Sequence, residues 1–272
     1  AQVPFHFWLP QAMAAPTPAS AFLHSATMVK LGVYLVARLA GAFELVPAYG
    51  VVLMGAGLLT AVVAAVNLLR SVAVKELLAH STVASLGLLV LLAGVGGEAG
   101  MLALVLFLLA HALYKAALFF VAGGVISATG ETRLDRLSGL GSALPLTAVA
   151  ALVAGLSMAG LPPLFGFVAK EYLLESLLGS AGGWLAIVGT VLVSTVLVAA
   201  AYLVGVRPFR NWAAASAVRV EREAGGMAWP PLVLALAGVL LGVLAAWPAQ
   251  GLIGAAASSL AGVPVIGGVS LW

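Results

Sequence analysis

One run of apolar residues, MLALVLFLLAHALYKAALFFVAGGVI from Met101 to Ile126, sets the strongest limit on how this chain can fold. A helix needs about 20 mostly apolar residues to cross a bilayer, and this run is longer than that. It is also one of several, because 63% of the 272 residues are hydrophobic and only 8% are Asp, Glu, Lys or Arg. Soluble domains carry about 25% charged residues, which cover their wet surface. The sequence therefore predicts an all-α, polytopic bundle of membrane helices.

Charged or Gly/Pro-rich breaks divide the chain into seven predicted spans. These spans lie near 17–38, 47–69, 77–95, 100–127, 143–178, 183–206 and 230–249. Before the first span, the Pro-punctuated segment VPFHFWLPQAMAAPTP predicts a half-helix and a re-entrant turn, and another helix is expected to begin near 251. The chain starts without Met and ends inside an apolar stretch, so we expect both ends to be cuts in a longer polypeptide.

The fifth run is too long for one straight span and carries helix breakers at its middle, Gly160, Pro162, Pro163 and Gly166. Proline removes a backbone donor and clashes with the preceding turn. Broken helices at membrane depth are tolerated where they line a cavity, and transporters build ion sites at such breaks. We therefore expect a discontinuous helix over 143–178.

Lysine and arginine are distributed unequally between alternate loops. The breaks after the first, third and fifth spans hold only Arg38. The breaks after the second, fourth and sixth spans hold Arg70, Lys75, Arg133, Arg136, Arg207, Arg210, Arg219 and Arg222. By the positive-inside rule, the loops near 70–75, 128–142 and 207–229 are predicted to face the cytoplasm from the cell (plasma) membrane.

Three lysines, Lys30, Lys115 and Lys170, fall inside predicted spans. Lysine at a helix centre costs roughly 2.5–3.5 kcal/mol on insertion scales, so such residues normally face a bundle interior or a water-filled path. A lysine near a helix end can instead extend its ammonium to the membrane surface. That interpretation fits Lys75, which lies at the start of its span beside Glu76. It fits Lys115 poorly, because apolar residues flank Lys115 on both sides. Lys115 is therefore predicted to be functional.

His111 and Lys115 are four residues apart, so they share one helix face. A neutral histidine can accept a hydrogen bond from the lysine ammonium, and such a pair would hold one proton readily and a second reluctantly. The pair is therefore predicted to be a proton relay in the middle of the membrane. The alternative for His111 is a hydrogen-bonded histidine of the helix core.

Other polar residues accompany the predicted breaks. Lys170 and Glu171 follow the break in the fifth run, where they either line a cavity or mark a helix end at the membrane surface. His24 and Lys30 follow the prolines of the first span, and their spacing puts them on different helix faces. His80 lies in a patch of serine and threonine, for which hydrogen bonding between helices is the first expectation.

Several function classes lack support in the sequence. There is no cysteine, so disulfides and thiolate metal sites are excluded, and the net charge of +3 is too small to indicate nucleic-acid binding. The chain has no phosphate loop ending in GK[ST], no HExxH, no GxSxG and no paired carboxylates within a span. We therefore predict no cofactor, no metal and no enzymatic reaction.

Four segments carry a resemblance to a known family: FHFWLPQAMAAPTPASAFLHSATMVKLGVYLVARL, VKELLAHSTVASLG, HALYKAALFFVAGG and GLSMAGLPPLFGFVAKEYLLE. In this order they resemble the large A-type subunit of Mrp multisubunit sodium/proton antiporters, a family related to the antiporter-like subunits of respiratory complex I. The resemblance implies an inverted-repeat antiporter fold with discontinuous helices, of which this chain holds the second half. Residues 1–250 would form the antiporter-like core, and 251–272 the start of a further membrane helix region.

Carried over by motif, the resemblance also implies a proton path. His24 and Lys30 would connect to the missing half-channel, His111 and Lys115 would form the central relay, and Lys170 would be the terminal charge. Lys30, together with a glutamate after Lys170, favours the A type over the complex I subunits. The full set of predicted path residues is His24, Lys30, His111, Lys115, Lys170, His6, Glu171 and His80.

The leading functional prediction is an ion-translocating subunit that exchanges Na+ for protons. Its expected partners are other membrane subunits of the same complex, the transported ions and the lipid bilayer. The alternative is a proton-pumping membrane subunit of complex I or of a membrane-bound hydrogenase. A third hypothesis, of another class, is a structural membrane subunit whose buried charges only fix helix packing.

Overall fold

The computed structural model describes residues 1–25, 27–43, 46–180, 183–211, 225–244 and 249–262, together with residues 220 and 264. Within these residues the chain is helical, and one isolated bridge joins Ala73 to Arg133. The helices are α1 Trp8–Gln11, α2 Thr17–Ser25, α3 Met28–Ala40, α4 Pro47–Arg70, α5 Val74–Val95, α6 Gly97–Thr129, α7 Pro145–Ala159, α8 Phe165–Leu178, α9 Gly183–Gly205, α10 Gly225–Leu244 and α11 Ala249–Ala261. The predicted all-α membrane bundle is confirmed.

Six helical segments of the described chain are long and apolar enough to cross a membrane. They are Thr17–Phe43, Ala48–Arg70, Val74–Val95, Gly97–Thr129, Gly183–Phe209 and Gly226–Leu244. Each overlaps a predicted span, and the helix expected near 251 corresponds to α11. The remaining predicted span, the fifth, consists of the two shorter helices α7 and α8.

The predicted break in this fifth span is confirmed between α7 and α8. Gly160 ends α7 with a φ of 82°, a left-handed conformation that favours glycine, and its N–H donates to the Leu156 carbonyl at 3.0 Å. Pro162 and Pro163 then prevent the helix from continuing before α8 begins. A Cβ atom at Gly166 would collide with the Ser157 carbonyl, so glycine lets the start of α8 pass the end of α7.

The first span is also divided, into α2 and α3. Thr27, which precedes α3, has a non-helical backbone with φ −122° and ψ −89°. His24 therefore lies in the last turn of α2, whereas Lys30 lies near the start of α3. The two residues belong to different helices, so their relative position is set by the turn rather than by helical spacing.

Helices α4 and α5 pack backbone against backbone through glycine. A Cβ atom at Gly87 would lie 2.6 Å from the Gly57 carbonyl oxygen, and one at Gly94 would lie 2.7 Å from the Gly50 carbonyl oxygen. The glycines repeat every seven residues on each helix, which keeps them on the shared face. Small residues at such positions are the usual means by which membrane helices approach closely. We call these four residues the glycine seam.

Helix α6 is the centre of the bundle. It packs against α2, α5, α7, α8, α10 and α11. Its sequence is apolar all round, as expected for a helix that neighbours surround on most sides. Any polar side chain on α6 near its middle is therefore enclosed by protein.

The three arginine-rich loops meet at one end of the bundle. The Val74 N–H donates to the Thr132 carbonyl at 3.0 Å, which joins the loop after α4 to the loop after α6. The Gly139 N–H donates to the Arg210 carbonyl at 3.0 Å, which joins the second of these loops to the segment after α9. Within the middle loop, the Arg133 guanidinium hydrogen-bonds Asp135 and holds the pKa of that carboxyl below its usual range. Most of the predicted third loop, 212–219 and 221–224, lies outside the described residues.

Candidate functional site

Four of the predicted path residues are buried around the middle of α6. His111 and Lys115 on α6 are fully buried, His24 on α2 is 1% exposed, and Lys30 on α3 is 6% exposed. Lysine and histidine are rarely found this deeply buried unless other polar groups accompany them. Three separate helices therefore bring ionisable side chains to one place.

The ammonium of Lys115 crosses from α6 to α5. It donates to the Leu78 carbonyl at 3.2 Å and also to the Ser81 hydroxyl. Ser81 is itself fully buried and donates to the same Leu78 carbonyl at 2.9 Å. A hydrogen bond to a charged group is worth about 1.5–3 kcal/mol. These contacts hold the lysine in a fixed position inside the bundle.

The predicted direct hydrogen bond between Lys115 and His111 is absent. The two residues share one face of α6, as expected, but the flexible lysine stem directs the ammonium to α5. Neither ring nitrogen of His111 has a hydrogen-bond partner within the described part of the chain. The ring instead meets Tyr114 edge-on, with 5.5 Å between the ring centroids. His111 is thus a buried polar group that the described protein groups do not satisfy.

Lys30 approaches His111 from α3. Its ammonium donates to the Leu108 carbonyl at 3.2 Å, and Leu108 lies one helical turn before His111. His111 is close enough to both Lys30 and Lys115 for the charges of these lysines to act on it. The imidazole therefore lies between two lysines of different helices.

His24 reaches α6 on the other side of Lys115. Its ring stacks on Phe119, one turn beyond Lys115, with 5.6 Å between the centroids. It also interacts electrostatically with Lys115, and its Nδ1 atom has no hydrogen-bond partner within the described residues. His24, Lys115, His111 and Lys30 thus form a group around α6, which we call the central cluster.

Lys170 lies at the break between α7 and α8 and not in the central cluster. Its ammonium donates to the Ala159 carbonyl at 3.0 Å, at the end of α7. Its side chain also passes over Gly160, where a Cβ atom would lie 2.7 Å from the lysine Cδ. The next residue, Glu171, is exposed on the opposite side of α8 from the buried Ala169.

His6 and His80 form a second group, beside the part of α5 that binds Lys115. Both are partly buried, they interact electrostatically with each other, and the Nδ1 atom of each has no hydrogen-bond partner in the described chain. The hydrogen bonds between helices that the sequence predicted for His80 are therefore not formed through Nδ1. Glu76, one turn earlier on α5, also acts on His80 electrostatically.

The sequence did not single out two contacts of these lysines. The sequence places Ser81 in a general polar patch, and in the structure it binds Lys115. The sequence indicates a position at the membrane surface for Lys75, and the structure adds that its ammonium donates to the Ala15 carbonyl at 3.0 Å. Ala15 directly precedes Pro16, so Lys75 satisfies a carbonyl at the irregular segment before α2.

The central cluster contains groups that can carry protons. It combines two lysines and two histidines, which can each hold or release one proton. Among the described residues, no group of three or more His, Asp or Glu side chains that could hold a metal ion is found.

Comparison with known proteins identifies the family and the fold. Residues 1–216 match the sequence profile of the family described as NADH:quinone oxidoreductase/Mrp antiporter, TM. The fold is similar to a chain in the structure of the Mrp complex from Dietzia sp. DQ12-45-1b, with a TM-score of 0.90 and 36% identity over 100% of this chain and 30% of that one. It also resembles a chain of the membrane-bound sulfane sulfur reductase, an archaeal respiratory membrane complex, with a TM-score of 0.85 and 27% identity over 96% of this chain and 53% of that chain.

The chain thus belongs to the family of membrane subunits shared by NADH:quinone oxidoreductases and Mrp antiporters. Within that family it is similar to the A-type subunit of the Na+/H+ antiporter of Alkalihalophilus pseudofirmus, at 42% identity over 65% of this chain and 24% of the relative. It is also 45% identical to the A/B-type subunit of a probable K+/H+ antiporter of Rhizobium meliloti, over 63% of this chain and 17% of the relative. The chain spans about a quarter or less of the length of these relatives.

Proposed function

We propose that this chain forms part of a membrane subunit of a cation/proton antiporter, in which it conducts protons through the middle of the plasma membrane. Na+ is the counter-ion that most of the similar antiporter subunits carry in their names. The chain would work beside other membrane subunits, as in the Mrp complex that it resembles. The arginine-rich loops would face the cytoplasm, in keeping with the positive-inside rule. A redox-driven pump subunit is the weaker alternative, because the similar curated proteins are antiporter subunits.

The observation that carries the proposal is the central cluster with its unpaired ring nitrogens. Buried polar atoms in proteins are almost always hydrogen-bonded to protein or to ordered water. His111 has two buried nitrogens with no described protein partner, and His24 has one. Water is the partner that fits such a polar interior site. Water molecules between ionisable side chains would provide a route for protons.

The proposed path begins at the arginine-rich end. His6 and His80 would pass protons between that end and Lys115. Lys115 would exchange with His111 through water, because the two side chains are not hydrogen-bonded directly. His111 lies between Lys115 and Lys30, and His24 offers a second exit from Lys115.

Lys170 would take the proton at the helix break, and Glu171 would lie beside its outlet.

The energy needed to move one charge across the membrane and the energy of one hydrogen bond to a charged group are of comparable size. Moving one charge across 100 mV costs about 2.3 kcal/mol. One hydrogen bond to a charged group contributes about 1.5–3 kcal/mol. Making or breaking a contact between Lys115 and α5 can therefore decide whether the lysine keeps its proton.

The test is the substitution Lys115→Arg, compared with Lys115→Ala. Arginine keeps the charge but does not deprotonate in proteins, so it can bind α5 without releasing a proton. We expect both variants to lose at least 90% of cation-dependent proton transport in membrane vesicles. Lys75→Arg is the matched control, because Lys75 also binds a carbonyl but lies outside the proposed path, and this variant should transport normally. If Lys115→Arg transports like the parent while Lys115→Ala does not, the lysine is a fixed charge and the relay is refuted.

A further inference from the structure

A cavity of about 370 Å³ lies between α8 and α9, beside the helix break. Most of its wall is apolar, but five polar side chains reach it: Lys170 and Glu171 from α8, and Thr190, Ser194 and Thr195 from α9. The space is large enough for several water molecules. It is therefore large enough for an ion that keeps part of its hydration shell.

Thr190 points to a polar occupant of this cavity. The residue is 1% exposed, and its hydroxyl has no hydrogen-bond partner within the described chain. A hydroxyl in a membrane helix normally bonds the carbonyl one turn earlier. Thr195 does so, because its hydroxyl donates to the Val191 carbonyl at 2.9 Å. The hydroxyl of Thr190 is therefore available to a bound group. Ser194 lies one turn from Thr190, on the same face of α9.

Glu171 also requires a partner. It lies seven residues before Leu178, the end of α8, which corresponds to about 10 Å of helix below that end. A carboxylate inside a membrane-spanning segment is costly unless it is paired or hydrated. Neither of the ion pairs found among the described residues includes Glu171. A cation inside the cavity would compensate this charge.

Lys170 shares the cavity but does not neutralise Glu171. Its ammonium is directed towards the break, where it binds the Ala159 carbonyl. A metal cation and a lysine ammonium in one small space repel each other, and the repulsion is strong where water is scarce. With a single carboxylate available, the cavity accommodates one of these two charges more readily than both.

We propose that this cavity binds a partly hydrated monovalent metal cation in competition with the proton on Lys170. The Glu171 carboxylate and the hydroxyls of Thr190 and Ser194 would be its ligands, since hard cations prefer oxygen ligands. This proposal rests on the proposed function and deepens it, because it assigns a place where cation and proton exclude each other. Cation entry would favour release of the Lys170 proton into the cavity water, and loading of Lys170 would expel the cation.

The test uses the assembled complex in membrane vesicles. The apparent KM for the cation is measured first with sodium and then with potassium, each over a range of pH. We expect Glu171→Gln to raise the apparent KM at least 10-fold, and Thr190→Val to raise it about threefold. Two matched controls should keep the parent KM. Glu175→Gln removes a carboxylate one turn further along α8, and Thr195→Val removes a hydroxyl that is bonded within its own helix.

The outcomes separate this proposal from that of the proton path. If Glu171→Gln slows transport without changing the apparent KM for either cation, the carboxylate pairs with another protein of the complex, which refutes the cation site. If Glu171→Gln prevents assembly, Thr190→Val decides, because it changes no charge and a parent-like KM would refute the site. The proton path is tested independently by Lys115→Arg, which should abolish turnover whichever result Glu171 gives.

Discussion

Ser81 provides the most direct test of how Lys115 is held. The hydroxyl of Ser81 accepts a hydrogen bond from the Lys115 ammonium inside the bundle. Ser81→Ala removes that acceptor and leaves the Leu78 carbonyl, at 3.2 Å, as the remaining described partner. The lost bond to a charged group corresponds to about 1.5–3 kcal/mol. Because 1.36 kcal/mol corresponds to a factor of ten, the protonated form of Lys115 becomes about 10- to 150-fold harder to populate.

The consequence can be measured as a pH profile. Loading Lys115 in Ser81→Ala requires a higher proton concentration, so the alkaline-side midpoint of antiport, where Lys115 loses its proton, should move down by about 1 to 2 pH units. The control is Ser85→Ala, because Ser85 is equally buried but its hydroxyl donates to the Ser81 carbonyl of its own helix, at 3.0 Å, and does not bind Lys115. Antiport is followed in vesicles from about pH 6 to about pH 9, a range in which a buried lysine can titrate. If both variants give the same profile, the bond between Lys115 and Ser81 has no role in proton loading, and the reasoning fails.

Three other outcomes are expected. Lys170→Ala should abolish antiport while the complex still assembles, as judged by transport and by co-purification of subunits, and near-normal transport would show that Lys170 only anchors a helix end. Gly87→Ala should reduce the yield of folded protein by forcing α4 away from α5, whereas Gly55→Ala, which has no atom within 4 Å of the new methyl, should not. Single cysteines at Ser71 and Ser138 should react with an impermeant reagent only in inverted vesicles, and labelling of either from the outside would contradict the predicted orientation.

Much of the fold could be predicted from the sequence because the responsible signals are local. Long apolar runs define the spans, and the prolines and glycines near Pro162 interrupt one of them whatever its neighbours are. The alternating arginines also predicted correctly which loops belong together, since those after α4, α6 and α9 are joined by main-chain hydrogen bonds. The deep burial of Lys115 followed from the apolar residues on both sides of it.

The partners of these residues could not be predicted, because they depend on how helices rotate against each other. Spacing along α6 put His111 beside Lys115, but packing of α5 offered the lysine Ser81 and a carbonyl instead. Lys75 binds a carbonyl 60 residues away, which no local pattern indicates. Thr190 was missed for a similar reason, because a threonine in an apolar helix normally bonds its own backbone.

The glycine seam holds α4 and α5 together, so the two helices move as one rigid body. Contacts between backbones leave no side chains that could flex, so neither helix can tilt or turn without the other. Any movement that draws Ser81 away from Lys115 must also carry α4, whose outer surface exposes Val51, Val52 and Leu59. Where that surface faces lipid in the assembled complex, its movement displaces lipid, and the bilayer then contributes work to the release of a proton. Turnover should consequently depend on the acyl-chain length of the lipids, because deformation of the bilayer opposes the helix movement that releases the proton.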